Sequence, residues 1–104
     1  MYDREYAKMC VGAGWHGLVD EAFDLVESHG SEVAQLKEKF GQMRVYINST
    51  SDDLYNKVWE IESKSASICE TCGAPSKLQN RGGWLKSICD PCLEEHHVQS
   101  KTST

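Results

Sequence analysis

Residues 69–92 read Cys69-Glu70-Thr71-Cys72-Gly73-Ala74-Pro75-Ser76-Lys77-Leu78-Gln79-Asn80-Arg81-Gly82-Gly83-Trp84-Leu85-Lys86-Ser87-Ile88-Cys89-Asp90-Pro91-Cys92. Two Cys-x-x-Cys pairs separated by sixteen residues form a metal-binding spacing. Two residues between cysteines let one tight turn aim both sulfurs at a single tetrahedral ion, and the longer insertion suffices for a hairpin that returns the second pair to the first. Gly73, directly after Cys72, permits the left-handed backbone that closes such a knuckle. Within the insertion, Ser76–Asn80 and Trp84–Ile88 flank the turn residues Arg81-Gly82-Gly83, which predicts two short antiparallel strands. Asp90-Pro91 opens a helix with Leu93–Val98 as its body, and thiols at its positive end ionise at lower cost. Knuckle, hairpin and helix in that order predict a treble-clef-like finger over residues 69–98.

Four thiolates fill a tetrahedron and leave no position for water, so Cys69, Cys72, Cys89 and Cys92 are expected to hold one structural zinc ion. A redox-active dithiol pair is the competing reading of the same residues. His96 and His97, neighbours on a solvated helix, are expected bystanders. The fifth cysteine, Cys10, stands alone and is expected to be a small buried hydrophobe.

Upstream of the finger, residues 15–28 place Trp15, Leu18, Val19, Ala22, Phe23, Leu25 and Val26 at helical spacing, with Gly30 as the stop. Residues 33–40 support two readings. Val33, Leu36 and Phe40 suit one face of a short helix, whereas Ala34, Leu36 and Phe40 against Gln35, Lys37 and Lys39 suit a strand. Met43–Ile47 alternates cleanly and reads as a strand with one buried face. A lone strand leaves its backbone groups unpaired, so it is expected to pair with Val33–Lys39 through a turn at Phe40-Gly41-Gln42. Ser49, Thr50 and Ser51 ahead of Asp52 and Asp53 are N-cap chemistry for a helix running to Ser67, with Leu54, Val58, Ile61 and Ile68 on one face. Core positions are expected for Trp15 and Trp59. The fold class is therefore α+β. An N-terminal helix, a β-hairpin and a second helix pack together over residues 1–68, the finger follows, and residues 99–104 form a disordered tail.

A chain of 104 residues with 39 % apolar content builds one modest core, to which a metal site adds useful stability. The formal charge of −5 argues against a surface built as a whole for nucleic acid or anionic lipid, so any such contact must come from a local patch. Residues 1–68 carry seven bases against twelve acids, and residues 69–104 carry four of each. Two candidate docking surfaces follow. One is the acidic face Asp20, Glu21, Asp24 and Glu27 of the first helix. The other is the finger hairpin, where Lys77, Arg81 and Lys86 surround Trp84 without an intervening acid. The first residues lack the apolar run of a secretory signal, and no segment has the length of a membrane span, so a cytoplasmic setting without a membrane partner is expected. There thiols stay reduced, which favours metal over disulfide.

Residues 68–98, Ile-Cys-Glu-Thr-Cys-Gly-Ala-Pro through Cys-Asp-Pro-Cys-Leu-Glu-Glu, resemble the zinc finger of the DksA/TraR family of regulators that bind RNA polymerase. The long coiled coil of that family has no counterpart here. The wider pattern, Gly-Trp-His-Gly-Leu-Val-Asp-Glu, then Gln-Leu-Lys-Glu-Lys-Phe-Gly-Gln-Met-Arg-Val-Tyr, then Cys-Gly-Ala-Pro and Gly-Gly-Trp-Leu, is similar to small phage and prophage proteins. That resemblance implies a phage or prophage origin, favours the hairpin at residues 33–47 and brings no biochemical activity with it. No His-Glu-x-x-His motif, phosphate loop, Gly-x-Ser-x-Gly elbow or deaminase signature is present, and no histidine lies between the cysteine pairs. The expectation is a non-enzymatic protein that binds a host protein and modulates it, in the direction of inhibition. The alternative is a transcription-related or nucleic-acid-binding factor acting through the finger.

Overall fold

The computed structural model describes residues 3–81 and 83–93 and, for Arg81 and Trp84, the backbone alone. The chain opens with a helix that the composition of residues 1–10 did not announce, α1, Arg4–Cys10. Asp3 caps it by accepting a hydrogen bond from the Tyr6 amide at 2.9 Å, with Glu5 in the first turn and Lys8 in the last. A 3₁₀ turn, Ala13–Trp15, leads into α2, His16–Ser28, which buries Leu18, Val19, Ala22, Phe23 and Val26 as their spacing predicts.

Residues 33–40 are a strand. β1, Val33–Lys39, pairs antiparallel with β2, Gln42–Ile47, in the register Leu36↔Val45, Lys37↔Arg44, Glu38↔Met43. Phe40 and Gly41 form the two-residue turn, both with positive φ (55° and 81°), as a tight hairpin requires. The ambiguity of this stretch has a structural cause. A bulge between Val33 and Gln35 lets Val33 and Leu36 share the buried face at a separation of three, which imitates a helical stripe. Ala34 and Phe40, expected on the inner face, are exposed instead.

α3, Asp52–Ser65, starts at Ser51, whose hydroxyl accepts from the Leu54 amide at 3.2 Å. It stops two residues short of the expected end because the chain turns at residues 66–67 to bridge Ile68 with Pro75. Leu54, Val58, Ile61 and Ser65 face inward. Trp59 follows Val58 by one residue, about 100° around the helix, and points outward at 64 % exposure, so it is not a core residue. Trp15 is fully buried, and its indole N–H donates to the Ile68 carbonyl at 2.9 Å. Cys10 is exposed at the end of α1, its thiol against the Tyr6 carbonyl, because a helix this short buries only Ala7.

The core is one cluster in which Leu18, Ala22 and Val26 of α2 are buried together with Met43, Val45 and Ile47 of β2, and α3 packs against both elements. Two α3 side chains also close the outer edge of β2. Met43 N–H donates to Ser65 Oγ at 2.8 Å and Val45 N–H to Glu62 Oε2 at 2.7 Å. The finger hairpin, β3 Lys77–Arg81 with β4 Trp84–Ile88, forms a separate two-stranded sheet. No helix among the described residues is long and apolar enough to cross a membrane.

Candidate metal centre

The knuckle is shaped by backbone bonds. Cys69 N–H donates to Ala74 O at 2.8 Å and Gly73 N–H returns to Cys69 O at 2.8 Å, while Gly73 takes the φ of 84° that a side chain would resist. Across the hairpin, Gln79 Nε2 donates to Ile88 O and to Asp90 Oδ1, which fixes the strand end carrying the second pair. Residues 90–93 begin the expected helix, with Leu93 N–H bonded to Cys89 O at 2.9 Å. The rest of that helix, His96, His97 and the tail lie outside the described residues.

These restraints bring Cys69, Cys72, Cys89 and Cys92 together with all four sulfurs within 4.8 Å of one another. Cys72 Sγ and Cys89 Sγ are 3.6 Å apart. A tetrahedron with metal–sulfur bonds of about 2.3 Å has edges of about 3.8 Å, so the cluster has the dimensions of a single four-thiolate site. All four are free thiols. Cys69 and Cys92 are buried with Ile88 in a small core of their own, and Cys72 is exposed.

The thiols are not equivalent. Burial raises the Cys69 thiol, but the backbone amides of Cys89, Cys72 and Thr71 outweigh it and bring it down to about 6. Cys92 is pushed up, first by the Cys89 side chain and then by burial. At Cys89 the Cys92 amide favours the thiolate, yet burial and the Cys72 and Cys69 side chains together raise it. One thiolate is welcome and further ones repel it, a balance that a divalent cation at the centre reverses.

The structure also ties the finger to the body, which the cysteine spacing did not disclose. Glu70, inside the first Cys-x-x-Cys, is the hub. Its carboxylate accepts from Gly12 N–H at 3.0 Å and pairs with Lys86 Nζ at 2.9 Å. Its backbone O accepts from Gly14 N–H at 2.7 Å and its N–H donates to Ser87 O at 2.8 Å. Gly12 and Gly14 are glycines because of this approach: a Cβ on Gly14 would lie 2.0 Å from Cys69 O, and one on Gly12 2.3 Å from Glu70 O. At the other end, Ser87 Oγ donates to the Gly41 carbonyl in the body hairpin turn. The Gly-x-Gly ahead of Trp15 was the available signal, and without a partner in view it reads as a loop.

The acidic face expected as a docking surface carries its charge already paired. Arg4 reaches Asp20 at 3.3 Å, Asp24 at 2.8 Å and Glu27 at 3.0 Å, Lys8 pairs with Asp20 at 3.0 Å, and Lys64 holds Glu21 at 2.7 Å. The acidic face of α2 is thus compensated by α1 and α3. In the finger, Lys86 is occupied by Glu70 and, at 3.7 Å, by Glu38. Lys77 is exposed on β3, and the side chains of Arg81 and Trp84 lie outside the described residues.

Comparison with known protein families, with characterised proteins and with solved structures finds no match. The zinc-finger resemblance is carried by the four-cysteine cluster.

Proposed function

We propose that the chain is a small phage-type protein, stabilised by one structural zinc ion, that acts without catalysis by docking on a protein of the bacterial host cytoplasm and inhibiting it. Four thiolates leave a metal no open position for substrate, so the ion is assigned to folding rather than chemistry. The observation that carries the binding role is Trp59. It stands 64 % exposed on α3, four residues from the half-exposed Tyr55, on the face turned away from the core. A folded chain that leaves a tryptophan and a tyrosine side by side in water has the large amphipathic anchors that concentrate binding energy at protein interfaces. Tyr55 is already held by its hydroxyl bond to Ile47 O at 3.2 Å, which lowers the cost of ordering it on docking.

The test is to capture the partner from host lysate with the tagged, zinc-loaded chain, then reconstitute the pair from purified components. Trp59→Ala should weaken the purified complex by tenfold or more while leaving helix content unchanged. Equal affinity of this variant, or no binding between purified components, refutes the assignment. Engagement of Lys86 by Glu70 and Glu38 removes one of the bases on which a nucleic-acid reading of the finger depends.

A further inference from the structure

We infer that the outer face of the β1–β2 hairpin is a binding surface for single-stranded nucleic acid, with Lys37, Lys39 and Arg44 meeting phosphates and Tyr46 and Phe40 stacking on bases. This assignment is independent of the host-protein reading, which rests on α3.

The starting point is a partition of the basic residues. Arg4, Lys8, Lys57, Lys64 and Lys86 all sit in ion pairs with carboxylates of the chain. Lys37, Lys39 and Arg44 make no ion pair among the described residues, and all three lie on one sheet face. Strand alternation and the register put Gln35, Lys37, Lys39, Gln42, Arg44 and Tyr46 on that face and no carboxylate with them. Glu38, the acid between the two lysines in sequence, points to the opposite face, where it accepts from Gly41 N–H and faces Lys86. Arg44 Nε is buried with no hydrogen-bond partner. Lys77, on the finger hairpin, is the other described base without an ion pair, so within the body the uncompensated cations are gathered on this one face.

The aromatic rings complete the surface. Tyr46 is 43 % exposed and Phe40, in the turn, 65 %. Lys37 Nζ lies 5.5 Å from the centre of the Tyr46 ring and Lys39 Nζ 5.7 Å from that of Phe40. Each ring is thus paired with a cation, so a base stacked on the ring brings its own phosphate within reach of a charge. Side chains two apart along a strand are separated by roughly 7 Å, which spaces the contacts for an extended chain of nucleotides rather than one small anion. Stacking needs unpaired bases, so the surface selects single strands over duplex.

Fluorescence anisotropy of the zinc-loaded chain with a labelled oligothymidylate of about a dozen nucleotides, at low salt, tests this. Three cations predict a log–log salt slope near −2, so affinity should fall about 20-fold between about 50 and about 200 mM salt. Combining Lys37→Gln with Arg44→Gln should bring the slope to about −0.7, and Tyr46→Ala should weaken binding about tenfold. Lys77→Gln, on the finger, should change affinity less than twofold. Circular dichroism and zinc content should match the wild type in every variant. The proposal is overturned if the wild-type chain does not bind, if the hairpin variants bind like the wild type, or if duplex binds as tightly as the single strand. It is equally overturned if polyglutamate of matched charge displaces the oligonucleotide, since that result assigns the face to an acidic protein.

Discussion

The molecule contains two antiparallel hairpins that are held by different physics. The body hairpin turns Val33, Leu36, Met43, Val45 and Ile47 into a core closed by α2 and α3, and its β2 edge is capped by Ser65 and Glu62. The finger hairpin has little to bury. Of its described side chains only Ile88 and Ser87 are inside, while Leu78 and Leu85 are nearly half exposed. A two-stranded hairpin by itself is marginal in water, so the second one depends on cross-links: a four-cysteine cluster of metal-site dimensions at one end, and at its flank the polar seam through Glu70, Lys86 and the Gly41 turn. Apolar burial needs area, whereas a metal site needs only a few sulfurs at the right distances.

The largest effect that separates the two regions is expected from the cysteines. Elemental analysis should find one zinc per chain, and Cys69→Ser should abolish it. Ligand assembly is coupled to folding, so amides of β3 and β4 should lose hydrogen-exchange protection while those of α2 and α3 keep theirs. Loss of protection throughout the chain breaks the contrast and makes body and finger one cooperative unit. Metal release on lowering the pH should follow the same pattern, because protons compete for the thiolates.

Leu18→Ala tests the other side of the comparison. Leu18 is buried on the α2 stripe, and truncation should cost on the order of 2 to 5 kcal/mol in denaturant unfolding with zinc stoichiometry unchanged. A change near zero places that face outside the core.

Gly14→Ala addresses the seam. The added methyl must displace the backbone of Cys69 and Gly73, an overpacking cost of roughly 1 to 3 kcal/mol, and it should loosen the finger while the body core stays intact. If zinc affinity and finger protection are unaffected, the seam does not support the metal centre.

The smallest effect concerns the ionic cover of α2. Asp20 is held below the usual carboxylate range, chiefly by its hydrogen bond to Lys8 and further by Arg4. A carboxyl lowered by folding stabilises the fold above its unfolded pKa, and that contribution is lost as the pH falls through its folded value. Asp20→Asn should therefore remove a modest part of the stability at neutral pH and flatten its decline on the acid side. Because the group is solvent-facing, the effect should shrink with added salt. An unchanged acid limb means that the pair contributes nothing measurable.

Much of this architecture was legible in the residues. Helical spacing located the buried faces of α2 and α3, Ser51 marked the α3 start, and Cys-x-x-Cys spacing located the four cysteines that cluster, with Gly73 as the closing turn. These features depend on neighbours within a few residues or on one simple spacing, which a sequence displays directly. The misreadings share a different origin. Trp59 was assigned by residue type, but its angle around the helix decides exposure. The phase of β1 was hidden by a bulge between Val33 and Gln35, which leaves strand and helix readings of residues 33–40 equally open in the sequence.

By itself, then, the sequence determined the element types, the core stripes and the chemistry of the thiol cluster, because periodicity and coordination spacing are local properties. Tertiary structure alone decided which charges remain uncompensated. Arg4 meets acids sixteen to twenty-three residues away, Glu70 meets Gly12 across fifty-eight, and only the hairpin register collects Lys37, Lys39, Arg44 and Tyr46 on one face. Coulomb and hydrogen-bond partners are set by distance in space, and that distance does not exist until the chain has folded.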